Sequence, residues 1–168
     1  LVLDLDETLV HFVAKEKKFK LRPGCIQFLK DMSQIYEVVI FTAAAQDYAD
    51  FILNYIQKDN KFIDHRLYRQ NCQYQDGIYV KDLSMLGRDL RKTIIVDNIR
   101  DNFERQPENG IEILTWLHDP SDRELYKLSI FLKNIVVNAV EDVRDRIKAY
   151  NEEIFGKNRT PSKRNFIN

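Results

Sequence analysis

Four short apolar runs most constrain how this 168-residue chain can fold. They are residues 1–5, 37–41, 93–96 and 111–114, and each of the first three leads into polar residues. Continuous apolar strands of this length are typical of a parallel sheet that is covered on both faces. Helical patterns alternate with the runs, so the chain is predicted to be an α/β protein.

The predicted architecture is a Rossmann-like open parallel sheet flanked by helices. Helices are expected at residues 23–32, 46–56 and 140–154, and a further helix is expected to begin with a capping box at 121–124 and to continue through 132. In the second helix the expected apolar face is Tyr48, Phe51, Ile52 and Tyr55. A small β-hairpin is expected over residues 66–80, turning at 76–77. No insertion is long enough for a large cap domain.

Composition excludes several classes of function. Lys plus Arg and Asp plus Glu number 26 each, so nothing favours nucleic-acid or membrane-surface binding, and no apolar run approaches the ~18 residues of a membrane span. Cys25 and Cys72 are expected to be packed thiols, which is typical of a reducing, intracellular compartment.

The missing initiator Met indicates a fragment of a longer protein. One domain is predicted over residues 1–155, with a basic, flexible tail at 156–168.

Polar side chains follow three of the predicted strands where ligands bind in open α/β sheets. They are Asp4, Asp6, Thr42, Asp97 and Asn98. Residues i and i+2 of an extended segment point the same way, so Asp4 and Asp6 can face one pocket. The repulsion between two buried carboxylates would be relieved by Mg²⁺, which prefers oxygen ligands. A solvated acidic loop is the alternative interpretation.

Two further residues could bind phosphate. The Thr42 hydroxyl and the N–H groups that precede the next helix could hold phosphate oxygens, although a threonine there is also a common N-cap. Lys81 could neutralise a phosphoryl group, although a single lysine is usually a solvated surface charge. Asp97 and Asn98 could be metal ligands or turn formers.

In combination these motifs resemble the haloacid dehalogenase-like phosphatases, in the branch of the small C-terminal-domain phosphatases and Dullard (the NLI-interacting factor-like family). The resemblance covers residues 1–137 and is carried by DLDETLVH at 4–11, RPG at 22–24, FTA at 41–43, VKDLS at 80–84 and VDN at 96–98.

The resemblance implies a role for each matching residue. Asp4 matches the nucleophile that forms an aspartyl-phosphate, and Asp6 matches the general acid and base whose main-chain carbonyl also binds Mg²⁺. Thr42 and Lys81 match phosphate-binding positions, and Asn98 matches a metal ligand. The remaining matches are Asp97, which orients the metal site or the lysine, Thr8, a support behind the loop, and Tyr48 and Arg69, which match phosphopeptide contacts.

The sequence departs from the polymerase-tail phosphatases in two places, at Ile99, where those relatives usually have Ser-Pro after Asn98, and in the segment that follows His11. Only residues 12–21 lie between His11 and Arg22, where those relatives carry a longer insertion, and this segment is rich in lysine. The lysines are interpreted either as a solvated loop or as contacts for acidic phosphopeptides.

Three functions fit the sequence. The expected one is a Mg²⁺-dependent protein serine/threonine phosphatase whose partner is a phosphoprotein substrate. The alternatives are a binding or assembly subunit of a larger complex that retains the fold, and a small-molecule phosphatase. Retention of the whole motif set favours an enzyme over the first alternative, and the missing cap argues against the second.

Overall fold

The computed structural model describes residues 1–58 and 60–156. The strands are β1 (Val2–Leu3), β2 (Val10–Val13), β3 (Lys18–Leu21), β4 (Val39–Phe41), β5 (His65–Leu67), β6 (Gln73–Gln75), β7 (Ile78–Val80), β8 (Ile95–Asp97) and β9 (Gly110–Glu112). The α-helices are α1 (Cys25–Met32), α2 (Gln46–Ile56), α3 (Glu124–Val137) and α4 (Arg144–Phe155).

The centre of the fold is a five-stranded parallel sheet in the order β5-β4-β1-β8-β9. The register pairs Leu3 of β1 with Ile40 on one side and with Val96 on the other. Since all five strands run the same way, their carboxyl ends meet at one edge. The predicted α/β class and parallel sheet are confirmed.

Alternation along the strands separates two apolar layers. Leu3, Ile40 and Val96 are fully buried in the larger cluster, to which all four α-helices contribute side chains. The opposite face is covered mainly by residues from short 3₁₀ turns rather than by α-helices. That smaller cluster consists of Val2, Phe41, Leu83, Ile95 and Phe103. Both faces of the central strands are therefore shielded from water, as their unbroken apolar runs require.

The predicted apolar face of α2 is wrong, although the bounds of the helix are as expected. The buried side chains of α2 are Ala49, Ile52, Leu53 and Ile56. Phe51 and Tyr55 are 68% and 62% exposed. Only Ile52 belongs to both the predicted and the observed face, so the helix is rotated about its axis relative to the prediction.

The capping box predicted at 121–124 is also wrong. The Ser121 hydroxyl donates to Asp119, and α3 begins at Glu124 without a side-chain cap. Asp122 accepts a hydrogen bond from the Glu124 N–H and forms an ion pair with Arg22. Asp122, which accepts the hydrogen bond at the start of α3, therefore mainly pairs with the distant Arg22.

The hairpin predicted over residues 66–80 is shorter than expected. His65–Leu67 is instead the edge strand β5 of the main sheet, and only β6 and β7 form the antiparallel hairpin around Asp76 and Gly77. A second hairpin, β2 and β3, occupies the lysine-rich segment. Within the described residues these two hairpins are the only additional sheets, and no large cap covers the central sheet.

Both cysteines are free, and Cys25 is buried, as expected for packed thiols. None of the four described α-helices has the length and apolar composition of a membrane span. The domain boundary at residue 155 stays a prediction, and all but the first residue of the predicted tail lies outside the described residues.

Candidate active site

A tight turn after β1 presents the two aspartates. The N–H groups of Leu9 and Val10 both donate to the carbonyl of Leu5, and Glu7 adopts a left-handed conformation with φ of 56°. A positive φ is uncommon for a residue other than glycine and is found preferentially at functional loops. The turn brings the side chains of Asp4 and Asp6 to the same cavity.

Lys81 lies between two carboxylates beneath this turn. Its Nζ is 2.5 Å from Asp4 Oδ1 and 2.6 Å from Asp97 Oδ2, and its side chain is fully buried. Burial alone would lower the pKa of Lys81, but the charges of Asp4 and Asp97 outweigh burial and raise it. The alternative of a solvated surface lysine is wrong for this residue.

The ionised form of Asp4 is destabilised by its surroundings. Burial, together with the negative charge of Asp97, raises the pKa of Asp4 to about 7, although Lys81 opposes that shift. Asp4 Oδ2 also accepts a hydrogen bond from the Thr8 hydroxyl at 3.0 Å. The ionised form of Asp4 would gain from a further cation at this position.

Both carboxylate oxygens of Asp97 accept hydrogen bonds. Its Oδ1 accepts from the Ile99 N–H, its Oδ2 accepts from Lys81, and the Asn102 amide lies 3.2 Å from both oxygens. Since Asp97 is fully buried and occupied in this way, its contacts favour orientation of Lys81 over metal binding. Asn102, whose carbonyl also accepts from the Lys81 N–H, was not anticipated from the sequence.

The side chain of Asn98 lies near Asp4, on the other side of Thr8. Its Oδ1 lies 3.4 Å from the Thr8 hydroxyl, which is 3.0 Å from Asp4 Oδ2. Asn98 Oδ1 and Asp4 Oδ2 are therefore closer together than the sum of these two distances. That separation is within the roughly 8 Å expected of two oxygens that share one Mg²⁺. Asn98 Nδ2 donates to the Thr115 hydroxyl, and Oδ1 is left facing the Thr8 hydroxyl.

The candidate oxygen ligands would fit Mg²⁺ in type. They are one carboxylate, one amide oxygen and, by resemblance, the main-chain carbonyl of Asp6, and all are hard ligands. In the described part of the chain no three His, Cys, Asp or Glu side chains form a metal cluster. A site with few protein ligands is consistent with the preference of Mg²⁺ for retaining waters and substrate oxygens.

Asp6 is bound to an aromatic hydroxyl. Tyr48 donates to Asp6 Oδ1 at 2.6 Å, and burial raises the pKa of Asp6 despite this hydrogen bond. A carboxyl group with a raised pKa retains its proton more readily, as a general acid must. Burial and the neighbouring Asp6 likewise raise the pKa of Tyr48, so its hydroxyl remains a donor.

Thr42 and Arg69 also line the cavity. The Thr42 hydroxyl accepts from the Ala44 N–H at 3.0 Å, and α2 begins only at Gln46 with Ala45 as its N-cap. Thr42 is therefore not the N-cap that the alternative interpretation proposed, and the Ala44 N–H is already bonded. Arg69 donates to the carbonyl of Ala43, which places its guanidinium at the rim.

Arg22 contacts the loop that carries Thr8, a role that the sequence did not predict. Its guanidinium donates twice to Asp122, at 2.8 Å each, and once to the carbonyl of Thr8 at 3.1 Å. Its side chain is fully buried. The only sequence signal was the RPG motif, which does not reveal the partner 100 residues away.

The structure brings most of the predicted site residues to one open cavity of about 440 Å³. Lys81 and Asp97 are fully buried and are not among the residues that line this cavity. A larger cavity of about 890 Å³ opens by the amino end of β1 and contains none of the predicted site residues. The roles assigned to individual residues stay predictions. The residues that line the smaller cavity include Asp4, Asp6, Thr42, Tyr48, Arg69 and Asn98.

Comparison with known proteins gives concordant results. The chain is 44% identical over 166 residues to CTD small phosphatase-like protein 2 of Dictyostelium discoideum, covering 88% of this chain and 29% of that protein. It is 38% identical over 156 residues to the mitochondrial import inner membrane translocase subunit TIM50 of Danio rerio, covering 91% and 40%. The chain therefore spans less than half the length of these two curated relatives.

A solved structure shares the fold. The structure of Fcp1, described as an essential RNA polymerase II CTD phosphatase, matches with a TM-score of 0.58 and 20% identity, covering 95% of this chain and 54% of that one. The model of the NLI interacting factor-like phosphatase family matches residues 1–144. The chain belongs to the NLI interacting factor-like phosphatase family.

Proposed function

We propose that this protein is a Mg²⁺-dependent phosphatase of phosphoserine and phosphothreonine side chains, with Asp4 as the nucleophile. The observation that carries the proposal is the placement of Asp4. Its carboxylate contacts the buried Lys81 and Thr8, lies close to Asn98, and faces the same cavity as Asp6.

The reaction proceeds in two steps. A carboxylate oxygen of Asp4 bonds to phosphorus, the ester P–O bond breaks, and the leaving oxygen takes a proton from Asp6. Asp6 then removes a proton from a water that attacks the phosphorus of the aspartyl-phosphate. Inorganic phosphate leaves and the Asp4 carboxylate is regenerated. Both steps use the same proton carrier, so Asp6 must face both the substrate and water.

Charge balance supports the need for a metal. Among the buried groups, Asp4 and Asp97 outnumber the cation Lys81, so without a metal the floor of the site would repel an incoming phosphate dianion. Asp4, Asn98 and the carbonyl of Asp6 would hold Mg²⁺. When bound, Mg²⁺ supplies positive charge that offsets the phosphate oxygens and keeps Asp4 ionised.

The openness of the cavity supports a protein substrate. No large cap covers it within the described residues, so a phosphorylated side chain on a polypeptide can enter. The binding-subunit alternative draws support from the similarity to TIM50. The intact Asp4, Asp6, Lys81 and Asn98 set favours the enzyme.

Covalent labelling tests the proposal. The purified protein should hydrolyse p-nitrophenyl phosphate and a phosphoserine peptide with Mg²⁺ but not with excess chelator. Rapid acid quenching followed by mass spectrometry should locate one phosphoryl group on the peptide that contains Asp4.

Matched variants complete the test. Asp4→Asn should abolish turnover and labelling, while Asp47→Asn, an exposed carboxylate on α2, should leave both unchanged. Full activity of Asp4→Asn would refute the nucleophile. Lack of turnover by the wild type with every substrate and metal would favour the binding subunit.

A further inference from the structure

Within the described part of the chain, Arg69 is the only cationic residue that lines the cavity of the candidate active site. The acids Asp4, Asp6 and Glu7 line the same cavity, so an anion that enters it meets more negative than positive charge. Lys81 already pairs with Asp4 and with a second buried carboxylate. The position of the Arg69 guanidinium is therefore important for binding a phosphorylated substrate.

One edge of the Arg69 guanidinium is bonded to the main chain. Its Nε donates to the carbonyl of Ala43 at 2.7 Å, in the loop that follows Thr42. Its Nη groups donate to no acceptor within residues 1–58 and 60–156, and Arg69 forms no ion pair there. The Nη donors are thus available to an anion, provided that the side chain is held at the cavity.

An aromatic stack contacts the same guanidinium. Arg69 Cζ lies 5.2 Å from the centroid of the Tyr79 ring, within the roughly 6 Å reach of a cation–π contact. Tyr79 packs in turn against Tyr74, with ring centroids 4.9 Å apart. We call Tyr74 and Tyr79 the tyrosine pair.

The register of the β6–β7 hairpin places the tyrosine pair on one face. Tyr74 of β6 lies directly opposite Tyr79 of β7. Val80 is fully buried, so alternation along β7 turns Tyr79 to the other face. Neither tyrosine belongs to the two apolar clusters of the core, so packing in the core does not account for the pair.

We infer that Tyr79, supported by Tyr74, is a positioning residue that holds the Arg69 guanidinium at the cavity for binding of the phosphorylated substrate. The inference rests on the proposed phosphatase function. The family resemblance assigns Arg69 to a phosphopeptide contact and gives the tyrosine pair no role. The Ala43 carbonyl and the Tyr79 ring hold the guanidinium at two points. A long side chain held in this way loses less rotamer entropy when the substrate binds.

Steady-state kinetics on a phosphoserine peptide test this role. Tyr79→Leu removes the ring and should raise KM by about two- to fivefold, the range expected of an exposed cation–π contact. The value of kcat should change by less than about twofold, because only substrate binding is weakened. Tyr79→Phe keeps the ring and should retain the wild-type KM. An unchanged KM in Tyr79→Leu would overturn the inference.

The split between KM and kcat separates positioning from general damage to the hairpin. Lys81 follows β7 directly and contacts Asp4. A displaced β7 would therefore lower kcat through Lys81, whereas loss of the contact to Arg69 alone would raise KM. A fall in kcat at constant KM in Tyr79→Leu would show that the ring only stabilises the hairpin, against the inference.

A double-mutant cycle tests whether Tyr79 acts through Arg69. Arg69→Gln should raise KM by about tenfold or more, as expected for the loss of a charged hydrogen bond. In the Arg69→Gln background, Tyr79→Leu should have no further effect. Effects that multiply independently would mean that the ring acts by another route, and the inference would fall. If Tyr79→Leu does not fold, Tyr74→Leu replaces it in the cycle with a smaller rise in KM, because Tyr74 is 67% exposed and supports the same ring.

An equivalent pair elsewhere in the chain provides the matched control. Arg123 Cζ lies 5.1 Å from the centroid of the Tyr126 ring, and neither residue lines the cavity. Tyr126→Leu removes a ring from the same kind of contact and should leave KM and kcat unchanged. An equal rise in KM in Tyr126→Leu would make the effect a general property of the fold and would contradict the role of Tyr79.

Binding measurements separate failure of this inference from failure of the proposed function. If the wild type hydrolyses nothing, fluorescence anisotropy of a labelled phosphoserine peptide reports Kd for the same variants. A rise in Kd in Tyr79→Leu that disappears in the Arg69→Gln background would support the positioning role without the enzyme. Turnover by the wild type together with an unchanged KM in Tyr79→Leu would refute the positioning role alone.

Discussion

Replacing Arg22 by alanine should destabilise the fold more than any surface ion pair can. Arg22 is fully buried, donates twice to Asp122, and also donates to the Thr8 carbonyl. Removing one partner of a buried pair typically costs about 3–5 kcal/mol, because the other charge is left without compensation. The Asp122 side chain is 11% exposed, which places the expected loss near the lower end, about 3 kcal/mol.

Urea and thermal denaturation measure this loss directly. For a chain of this size 1 kcal/mol corresponds to about 2–4 °C in Tm, so Arg22→Ala should lower Tm by roughly 10 °C. The variant should also lose activity, because the Thr8 carbonyl is released and the Thr8 hydroxyl orients Asp4.

Arg88→Ala is the matched control for this experiment. Arg88 also forms a two-pronged ion pair, with Glu37, but its side chain is 53% exposed and solvent screens the interaction. Its loss should leave Tm nearly unchanged. Equal effects of the two substitutions, or a loss below about 1 kcal/mol for Arg22→Ala, would refute the argument from burial.

Three further changes test the site and its support. Lys81→Met should lower kcat/KM for p-nitrophenyl phosphate by at least about 10²-fold, because the charge that balances the buried carboxylates is lost; near-normal kinetics would contradict this. Asp6→Asn should slow both the phosphorylation of Asp4 and the hydrolysis of the aspartyl-phosphate by about 10²–10⁴-fold, measured by single-turnover quench. Slowing of only one of the two steps would disprove the shared role of Asp6. Gly110→Ala should cost about 1–3 kcal/mol in urea denaturation. A Cβ at Gly110 would lie 2.0 Å from the buried Phe103 ring, and unchanged stability would mean that the ring yields freely.

The central sheet and the position of the site were predictable from local patterns. Unbroken apolar runs indicated parallel strands, and the polar residues that follow them had to meet at one edge. Asp4 and Asn98 do so, although they are far apart in the chain. The spacing of two residues between Asp4 and Asp6 needed only the geometry of an extended segment.

Other features depend on contacts that no local pattern encodes. Two overlapping sets of residues in α2 have helical spacing. The set that contains Phe51 and Tyr55 has the larger apolar side chains, so the sequence pattern favoured it, although it is the exposed one. The actual choice is made by the sheet, which buries Ala49 and Leu53 instead. Asn102 and Arg22 carry no periodic signal, and their partners are set by the folded chain.

The energetics of the buried charges favour a chemical role for these residues over a stabilising one. Lys81, Asp4 and Asp97 are almost wholly removed from water, and buried ion pairs seldom repay the cost of desolvation. Asp4 illustrates the cost, because burial raises its pKa to about 7 and leaves its ionised form disfavoured. A binding module could replace the three residues by apolar ones of similar volume and become more stable. The presence of these three charges beside an open cavity fits the proposed phosphatase, in which Asp4 must be ionised to attack phosphate.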